Sequence, residues 1–145
     1  MNLRTMMRQK LVTVTDADTV QEAVVRMAQA HVGACAVLSG AGKLSGIFTE
    51  RDLMQRVVAK NLQPVQTQVS QVMTTPVATL APDSPAEDAM RLMSEKKIRH
   101  TLLVDPAGKL VGMISLRDLL HNKVEELDRE LESVVERFTN DAPGG

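Results

Sequence analysis

The chain is 145 residues long, which suits one compact domain or two small halves that share a core. Its 17 lysines and arginines are balanced by 18 acidic residues, so no broad basic face for duplex DNA is expected, and an aromatic content of 1% disfavours the stacking of single-stranded bases. The 43% of hydrophobic residues excludes a disordered chain. The N-terminus lacks the apolar run of a signal peptide, and no run is long enough for a membrane span. The single cysteine, Cys35, lies in the apolar run ACAVL, which predicts a buried thiol; we expect a soluble, cytoplasmic protein that binds neither membrane nor DNA.

The first half of the chain predicts the element order β-α-β-β-α. Thr19 and Glu22 form the T-x-x-E pattern of a capping box, and apolar residues follow at helical spacing as far as Met27. A second helix is predicted to begin at Thr49, directly after a strand that contains Gly46. Strand-like runs stand at 11–14, 34–38 and 43–49, and a tight turn at 39–42 joins the last two.

The second half repeats this order. Residues 42–54 (GKLSGIFTERDLM) and 108–120 (GKLVGMISLRDLL) are identical at seven of thirteen positions, at an offset of 66. Upstream, residues 19–27 match 84–93 at an offset of 65, so a one-residue gap is expected between the two matches. Strand-like runs recur at 77–80, 101–104 and 109–115.

The helix of the second repeat is predicted to begin with its own cap. Ser84 and Glu87 repeat the capping-box pattern, with Pro85 at the first helical position. Each unit of roughly 55 residues is too small to be stably folded on its own, so the two sheets are expected to pack into one shared core. The predicted fold class is α/β (α+β), with the first repeat at 1–68, the second at 69–123, and a helical extension with a frayed tail at 124–145.

Both strand-to-helix junctions carry a hydroxyl residue followed three positions later by aspartate, Thr49 with Asp52 and Ser115 with Asp118. One interpretation is a plain helix cap. The other is a ligand site, because the shorter carboxylate of aspartate is expected to reach back to the cap less easily than glutamate and to point outward, where it can accept bonds from the cis-diol of a ribose. The positive end of a helix and the arginine before each aspartate would favour a phosphate beside it.

The pattern G-h-h-[ST]-x-x-D, at 46–52 and again at 112–118, resembles the cystathionine-β-synthase (CBS) domain family. The segments DADTVQEA at 16–23 and IRH at 98–100 resemble it too, and the resemblance covers about residues 6–123. It implies a tandem CBS pair, or Bateman module, whose halves pack with pseudo-two-fold symmetry around two clefts. It further implies a regulatory protein, not an enzyme, that requires no cofactor and binds an adenosine compound: AMP, ADP or ATP, with S-adenosylmethionine or NADH as further candidates.

The resemblance assigns roles to particular residues of this chain. Asp52 and Asp118 would hold ribose hydroxyls, and Thr49 and Ser115 would bond ribose or phosphate. The candidates for phosphate are Arg51, Arg99, His100 and Arg117, and the backbone near Thr13 and Val77 would line the adenine. Because Gly33 and Ala34 stand where the second repeat has Arg99 and His100, the second half is expected to be the better phosphate site.

The C-terminal residues show a heptad pattern that continues the last predicted helix to about Phe138. Apolar side chains recur at steps of four and three: Leu120, Val124, Leu127, Leu131, Val134 and Phe138. Such a seam needs a partner, which is either the domain itself, if the helix folds back, or the same helix of a second subunit. The family resemblance implies disc-like homodimers, and we expect a separate effector protein to receive any signal.

Two other classes of function remain open. A degenerate pair of repeats with empty clefts would be a scaffold for assembly. Two features favour it mildly: Gly33 in the first repeat, and the presence of Ala36 and Leu102 at positions where the family often has proline. An enzyme is disfavoured, since Ser115, His100 and Asp118 make no convincing triad, and a metal site is disfavoured because the three histidines lack ligand spacing.

Overall fold

The computed structural model of the protein describes residues 2–7 and 11–141. The strands are β1 (Thr13–Thr15), β2 (Ala34–Leu38), β3 (Leu44–Thr49), β4 (Thr79–Leu80), β5 (His100–Val104) and β6 (Leu110–Ser115). The α-helices are α1 (Val20–Ala30), α2 (Glu50–Asp52), α3 (Ala86–Lys96) and α4 (Leu116–Asp141). A π-helix, Leu53–Val58, continues α2, and short 3-10 helices lie at Leu3–Thr5 and Val69–Gln71.

The strands form two three-stranded sheets of identical topology, β1-β2-β3 and β4-β5-β6. In each sheet the first strand runs parallel to the second, which pairs antiparallel with the third. The turn between the paired strands needs a positive φ, which Gly42 and Gly108 supply at 79° and 83°. This architecture confirms the predicted α+β fold class and the β-α-β-β-α repeats.

The two repeats correspond at an offset of 66 throughout, so the predicted one-residue gap is wrong. Helices α1 and α3 have the same length, and the buried pairs Ala23/Ala89 and Met27/Met93 then coincide. The capping box of Thr19 with Glu22 forms as predicted.

The second helix begins differently from the prediction. Its N-cap is Pro85, with no side-chain cap, so neither the predicted Ser84 capping box nor Pro85 at the first helical position is correct. The physical reason is the alignment: at the offset of 66, Pro85 takes the place of Thr19, and proline has no side-chain oxygen to accept a capping bond. The Leu3 N–H donates to the Ser84 carbonyl at 3.0 Å, and Asn2 forms a β-bridge with Pro85; the first repeat has equivalent contacts and still forms its cap.

Each repeat completes its core with a short segment that precedes the other repeat in sequence. Leu3 is buried in the second repeat, among Ala89, Ile114 and their neighbours. Val69 and Val72 are buried in the first repeat, on the α1 side of its sheet. The predicted division at residue 68 therefore separates sequence repeats, whereas the packing units exchange their leading segments.

A third apolar cluster lies between the two sheets. Ala34 and Ala36 of β2 and Ile47 of β3 contact Leu102 and Met113 of the second sheet. The two alanines are small enough to let the sheets approach closely, and burying these side chains stabilises one repeat against the other. The predicted packing of the two sheets is confirmed, but the prediction of a single core is not, because each repeat also has a core of its own.

Cys35 faces the core of the first repeat and is fully buried, as predicted. Burial raises the pKa of its thiol from 9.0 to about 12. A nearby arginine, Arg26, lowers it by a smaller amount, and Asp52 adds to the increase. The thiol is therefore a small apolar core group at neutral pH.

Helix α4 is one continuous element of 26 residues, and it does not fold back over the domain. Leu119 is buried against the second repeat, but every residue from Leu127 to Asn140 is exposed. The fold-back interpretation of the heptad seam is therefore wrong. The helix includes Asp141, and residues 142–145 of the predicted tail lie outside the described residues. Within the described ranges no helix is both long enough and apolar enough to cross a membrane.

Candidate functional site

A cleft of about 840 Å³ opens between the two repeats. One wall is the end of β3 with α2 and the first turn of the π-helix, as far as Arg56. The opposite wall is the connection between α3 and β5, residues 96–100, and the floor comes from Thr74 and residues 76–78, just before β4. We call this the Asp52 cleft, because Asp52 is its most buried polar residue.

Residues close in sequence to Thr49 determine the conformation of this part of the cleft wall. Thr49 ends β3 in extended conformation and caps α2: its hydroxyl accepts from the Asp52 N–H at 3.2 Å, and the Asp52 carboxylate accepts from the Thr49 N–H at 3.0 Å. The helix then widens into a π-helix from Leu53 to Val58, a rare feature that often accompanies functional sites. It places Met54, a large exposed side chain, on the cleft wall.

The Asp52 carboxylate is 5% exposed and is already hydrogen-bonded. It accepts from the Thr49 N–H, from the Thr49 hydroxyl at 3.2 Å, and from the Thr74 hydroxyl at 3.0 Å. The expectation that aspartate would point away from the cap is therefore wrong, because the side chain reaches back and closes a full capping box. A carboxylate offers about four lone-pair sites. One more hydroxyl can donate to Asp52 as it stands, and a second can do so if the Thr74 hydroxyl turns away.

The cleft is strongly basic. Five lysine or arginine side chains line it, against two carboxylates: Arg51, Arg56, Lys96, Lys97 and Arg99, with Glu50 and Asp52. Such an excess of one sign in a concave surface concentrates oppositely charged ligands. Within the described residues, no hydrogen bond or ion pair engages the side chains of Lys96, Lys97 or Arg99, so these three are available to an anion.

The other two arginines hold the walls. Arg51 donates from Nη1 to the carbonyl of Lys97 at 2.7 Å, which links the first repeat to the second across the cleft. Arg56 donates from Nη1 to the carbonyl of Met73 at 2.8 Å, and its Nε lies 3.7 Å from Oδ1 of Asp52. The guanidinium of Arg56 thus fixes the floor to the same helix turn that carries Asp52.

The structure brings six of the ten predicted site residues to this one cleft. Thr49, Arg51, Asp52, Val77, Arg99 and His100 line it. The grouping differs from the prediction, which placed Arg99 and His100 with Arg117 in a site of the second half. Because the sheets pack face to face, the start of β5 in one repeat meets the start of α2 in the other.

The remaining predicted residues lie elsewhere. Ser115 and Asp118 form the matching cap of α4: the Ser115 hydroxyl accepts from the Asp118 N–H at 3.0 Å, and the Asp118 carboxylate from the Ser115 N–H at 3.3 Å. His100 lies opposite Ser115 in the β5–β6 register although it lines the Asp52 cleft. Arg117 is exposed, and Thr13 borders a separate shallow depression of about 400 Å³ beside α1.

The floor of the cleft was not foreseen from the sequence. At an offset of 66, Thr74 corresponds to Arg8 and Pro76 to Lys10, both outside the described residues, so no repeat motif marks Thr74. Arg56 was also missed, although its spacing of four residues from Asp52 on a predicted helix is a readable signal for an ion pair. Lys96 and Lys97 carried no motif and become site residues only through the packing of the repeats.

Comparisons with known proteins fit this geometry. The family model described as CBS domain matches residues 3–59 and 69–125. The CBS domain-containing protein YhcV of Bacillus subtilis is 38% identical over 118 residues, which cover 81% of this chain and 82% of YhcV. Other curated relatives are longer: the chain spans 22% of the length of CBSCBSPB3 from Arabidopsis thaliana, with 33% identity over 85% of this chain, and 58% of MK0525 from Methanopyrus kandleri.

Solved structures share the fold. A conserved protein of Pyrococcus horikoshii superposes with a TM-score of 0.78 at 32% identity, over 84% of this chain and 91% of that one. The CBS domain protein PAE2072 of Pyrobaculum aerophilum, solved in complex with AMP, superposes with a TM-score of 0.75 at 24% identity, over 81% and 89% of the two chains. Two β-α-β-β-α repeats that share a core and frame an inter-repeat cleft define a tandem-repeat module. The chain belongs to the CBS-domain family and contains a pair of CBS domains.

Proposed function

We propose that the chain is a regulatory module that binds an adenosine nucleotide of the AMP, ADP or ATP type in the Asp52 cleft. The observation that carries the proposal is the presence, within one cleft, of the Thr49 and Asp52 oxygen atoms together with Lys96, Lys97 and Arg99, whose side chains make no hydrogen bond or ion pair within the described residues. Asp52 accepts a ribose hydroxyl, and Lys97 and Arg99 contact the phosphate. The fold itself accommodates such a ligand in PAE2072, whose structure contains AMP.

The charge of the cleft favours a phosphorylated ligand over S-adenosylmethionine. Five cationic side chains against two carboxylates repel a sulfonium group and attract phosphate. NADH, which carries a pyrophosphate, satisfies the same charge requirement. Val77 and Ala78 on the floor offer an apolar surface for the base.

The position of the cleft between the repeats explains how ligand binding is transmitted to a partner. Its two walls belong to different halves, and the Arg51 hydrogen bond to Lys97 joins them. A ligand there contacts both halves, and it shifts their relative pose by as much as its affinity differs between poses. A partner protein that recognises one pose then reads the energy or metabolite state, without any catalytic step in this chain.

One observation favours a second function, that of a scaffold without ligand. The bonds from Thr49 and Thr74 to Asp52 give this carboxylate a structural task that needs no nucleotide. In that case the pair of repeats serves assembly alone, and the cleft cations are only a solvated surface.

Thermal unfolding against adenosine, AMP, ADP, ATP, NADH and S-adenosylmethionine distinguishes the two functions. A ligand at about 100 times its Kd adds about 2.7 kcal/mol to the free energy of unfolding, which raises Tm by roughly 5–10 °C for a domain of this size. We expect AMP-type ligands to give this shift, and adenosine to give a smaller one because it lacks the phosphate. No shift with any of the six compounds would establish the scaffold function instead.

Arg99→Ala is the most informative variant, because within the described part of the chain the Arg99 side chain makes no hydrogen bond or ion pair that the fold depends on. Loss of one charge-assisted phosphate contact is expected to weaken AMP-type binding by about tenfold, measured by calorimetry. Arg117→Ala is the matched control: it removes an exposed arginine that does not line the cleft. Binding that survives Arg99→Ala but is lost in Arg117→Ala would move the site to the Asp118 junction.

A further inference from the structure

The exposed face of α4 is an interaction surface that nothing in this chain covers within the described residues. The six residues that form it, which we call the seam, are between 47% and 77% exposed: Leu120, Val124, Leu127, Leu131, Val134 and Phe138. The neighbouring Leu119, on the face turned to the domain, is only 2% exposed, so the helix already has a different side for its own repeat. A protruding helix of about 14 residues is marginal in water without a packing partner.

The spacing of the seam identifies the kind of partner. Steps of four and three residues place Val124, Leu131 and Phe138 at the a positions and Leu120, Leu127 and Val134 at the d positions of a heptad repeat. A heptad seam packs against another helix of the same periodicity by knobs into holes, and α4 is the element of this chain with that pattern. The order of a β-branched residue at a with leucine at d, present over residues 120–127, suits a two-stranded coil, whereas the next heptad has the reverse order, with Leu131 at a and Val134 at d. We propose that two copies of the chain pair through their α4 helices as a parallel coiled coil.

Charge decides the direction of the pair. In a parallel coil the g residue of one helix faces the following e residue of the other, which sets Lys123 against Asp128 of the second copy, twice by symmetry. The next such pair joins Glu130 to Val135 and carries no repulsion. In the single chain Lys123 lies 3.8 Å from Glu126, an exposed pair that is too weak to prevent the new contact.

The antiparallel alternative brings like charges together. In the antiparallel register that aligns all six seam residues, Asp128 faces Asp128 of the second copy and Glu130 faces Glu130. Lys123 then faces Arg137, which is a further repulsion. Apolar packing permits both directions, whereas the flanking charges favour the parallel one.

The first test measures the oligomeric state of the full chain by sedimentation equilibrium. The wild type is expected to be a dimer, and Leu127→Glu to weaken its association at least about 30-fold, because each copy then buries a charge in the seam. Leu127 is exposed in the single chain, so the variant keeps its fold. Arg129→Glu, on the outer face of the helix, is the control and leaves the dimer intact. A monomeric wild type, or a dimer that Leu127→Glu does not disturb, would overturn the proposal.

The second test uses the sign of a charge change to read the direction. In the parallel coil Lys123→Glu weakens association by about threefold to tenfold, and adding Asp128→Lys restores it. In the antiparallel coil Lys123→Glu faces Arg137 and strengthens association, which would overturn the parallel assignment.

The third test measures the direction by distance. Spin labels on Arg129→Cys and Glu136→Cys, both on the outer face, report separations between copies, and the wild type is the blank because Cys35 is buried. The parallel coil gives similar distances at both positions. In the antiparallel coil the two labels at residue 136 lie about 14 residues apart along the helices, or about 21 Å along the axis. The two labels at residue 129 lie opposite each other at the centre of the coil. A long distance at 136 with a short one at 129 would therefore contradict the parallel pair.

Discussion

The two strand-to-helix junctions share one sequence pattern but surround their carboxylates differently. Asp52 is buried, accepts from the Thr74 hydroxyl as well as from its own cap, and is followed by a π-helix. Asp118 forms the matching cap, is less buried, and is followed by a long regular helix. The pattern therefore determines the cap, and the residues that pack around it determine the electrostatic environment.

The same contrast appears at positions that carry no motif. Where the first repeat has Arg56 beside Asp52, the second has Asn122, whose side chain donates to the Asp118 carbonyl at 2.8 Å. Where the second repeat has Arg99, the first has Gly33, whose missing Cβ leaves room for Glu50. Within the described residues, the two copies thus keep the same backbone chemistry at these positions while their charged side chains differ.

The largest expected effect concerns the equivalent core positions Cys35 and Thr101. With the thiol pKa raised from 9.0 to about 12, the native chain should contain about a thousandfold less thiolate than the unfolded chain, so iodoacetamide at pH 8 should react with it only after unfolding. The contribution of this thiol to stability is complete below about pH 9 and is lost as the pH rises towards 12. Thr101→Cys in a Cys35→Ala background should be equally unreactive, since both positions are fully buried. Rapid alkylation of one of the two thiols in the native protein would show that the cores of the two repeats are not equally protected from solvent.

The second prediction compares the two aspartates in urea unfolding. Asp52→Ala leaves the Thr49 N–H and two hydroxyls without their acceptor and should cost about 2–3 kcal/mol. Asp118→Ala should cost less, because Asp118 is only partly buried and water can replace its carboxylate more easily. Thr74→Val measures, within the first junction, how much the Thr74 contact adds to the cap. Equal losses for both aspartates would mean that the surroundings of Asp52 add nothing to its cap.

The smallest effect is a gain in stability. The Thr101 hydroxyl is buried and has no hydrogen-bond partner within the described residues. Thr101→Val replaces it with a group of similar shape and should stabilise the protein by about 0.5–1 kcal/mol. Cys35→Ser places a hydroxyl at the corresponding position and should have the opposite sign, which thermal unfolding of both variants checks. A destabilising Thr101→Val would indicate a hydroxyl bond that the native state makes.

Local patterns predicted most of the fold correctly. The capping box at Thr19, the glycine turns and the strand-like apolar runs depend on neighbours within a few residues, so they can be read directly. The errors at the second helix came from one misalignment: the prediction matched Ser84 with Thr19, whereas the structure matches Pro85 with it, and proline cannot supply the side-chain cap. The false one-residue gap followed, since it aligned two capping patterns of which only one forms.

The sequence supplied candidate residues for the cleft but not their grouping. Thr49, Asp52, Arg99 and His100 were predicted as site residues, yet the sequence could not show that all four line one cleft, because residues about 50 positions apart meet only through the packing of the two sheets. Nor could it identify Thr74, which comes from a connecting segment without periodicity.

By itself the sequence determined the repeated elements, their turns and caps, the CBS-domain family and the heptad seam, since each depends on local chemistry at fixed spacing. Tertiary structure decided which junction acquired the basic cleft, how Asp52 was buried, which repeat Leu3 and Val69 complete, and that α4 leaves the domain with its seam exposed. The reason is physical: caps and turns are satisfied within one segment, whereas burial and charge clustering depend on which surfaces the packed sheets bring together.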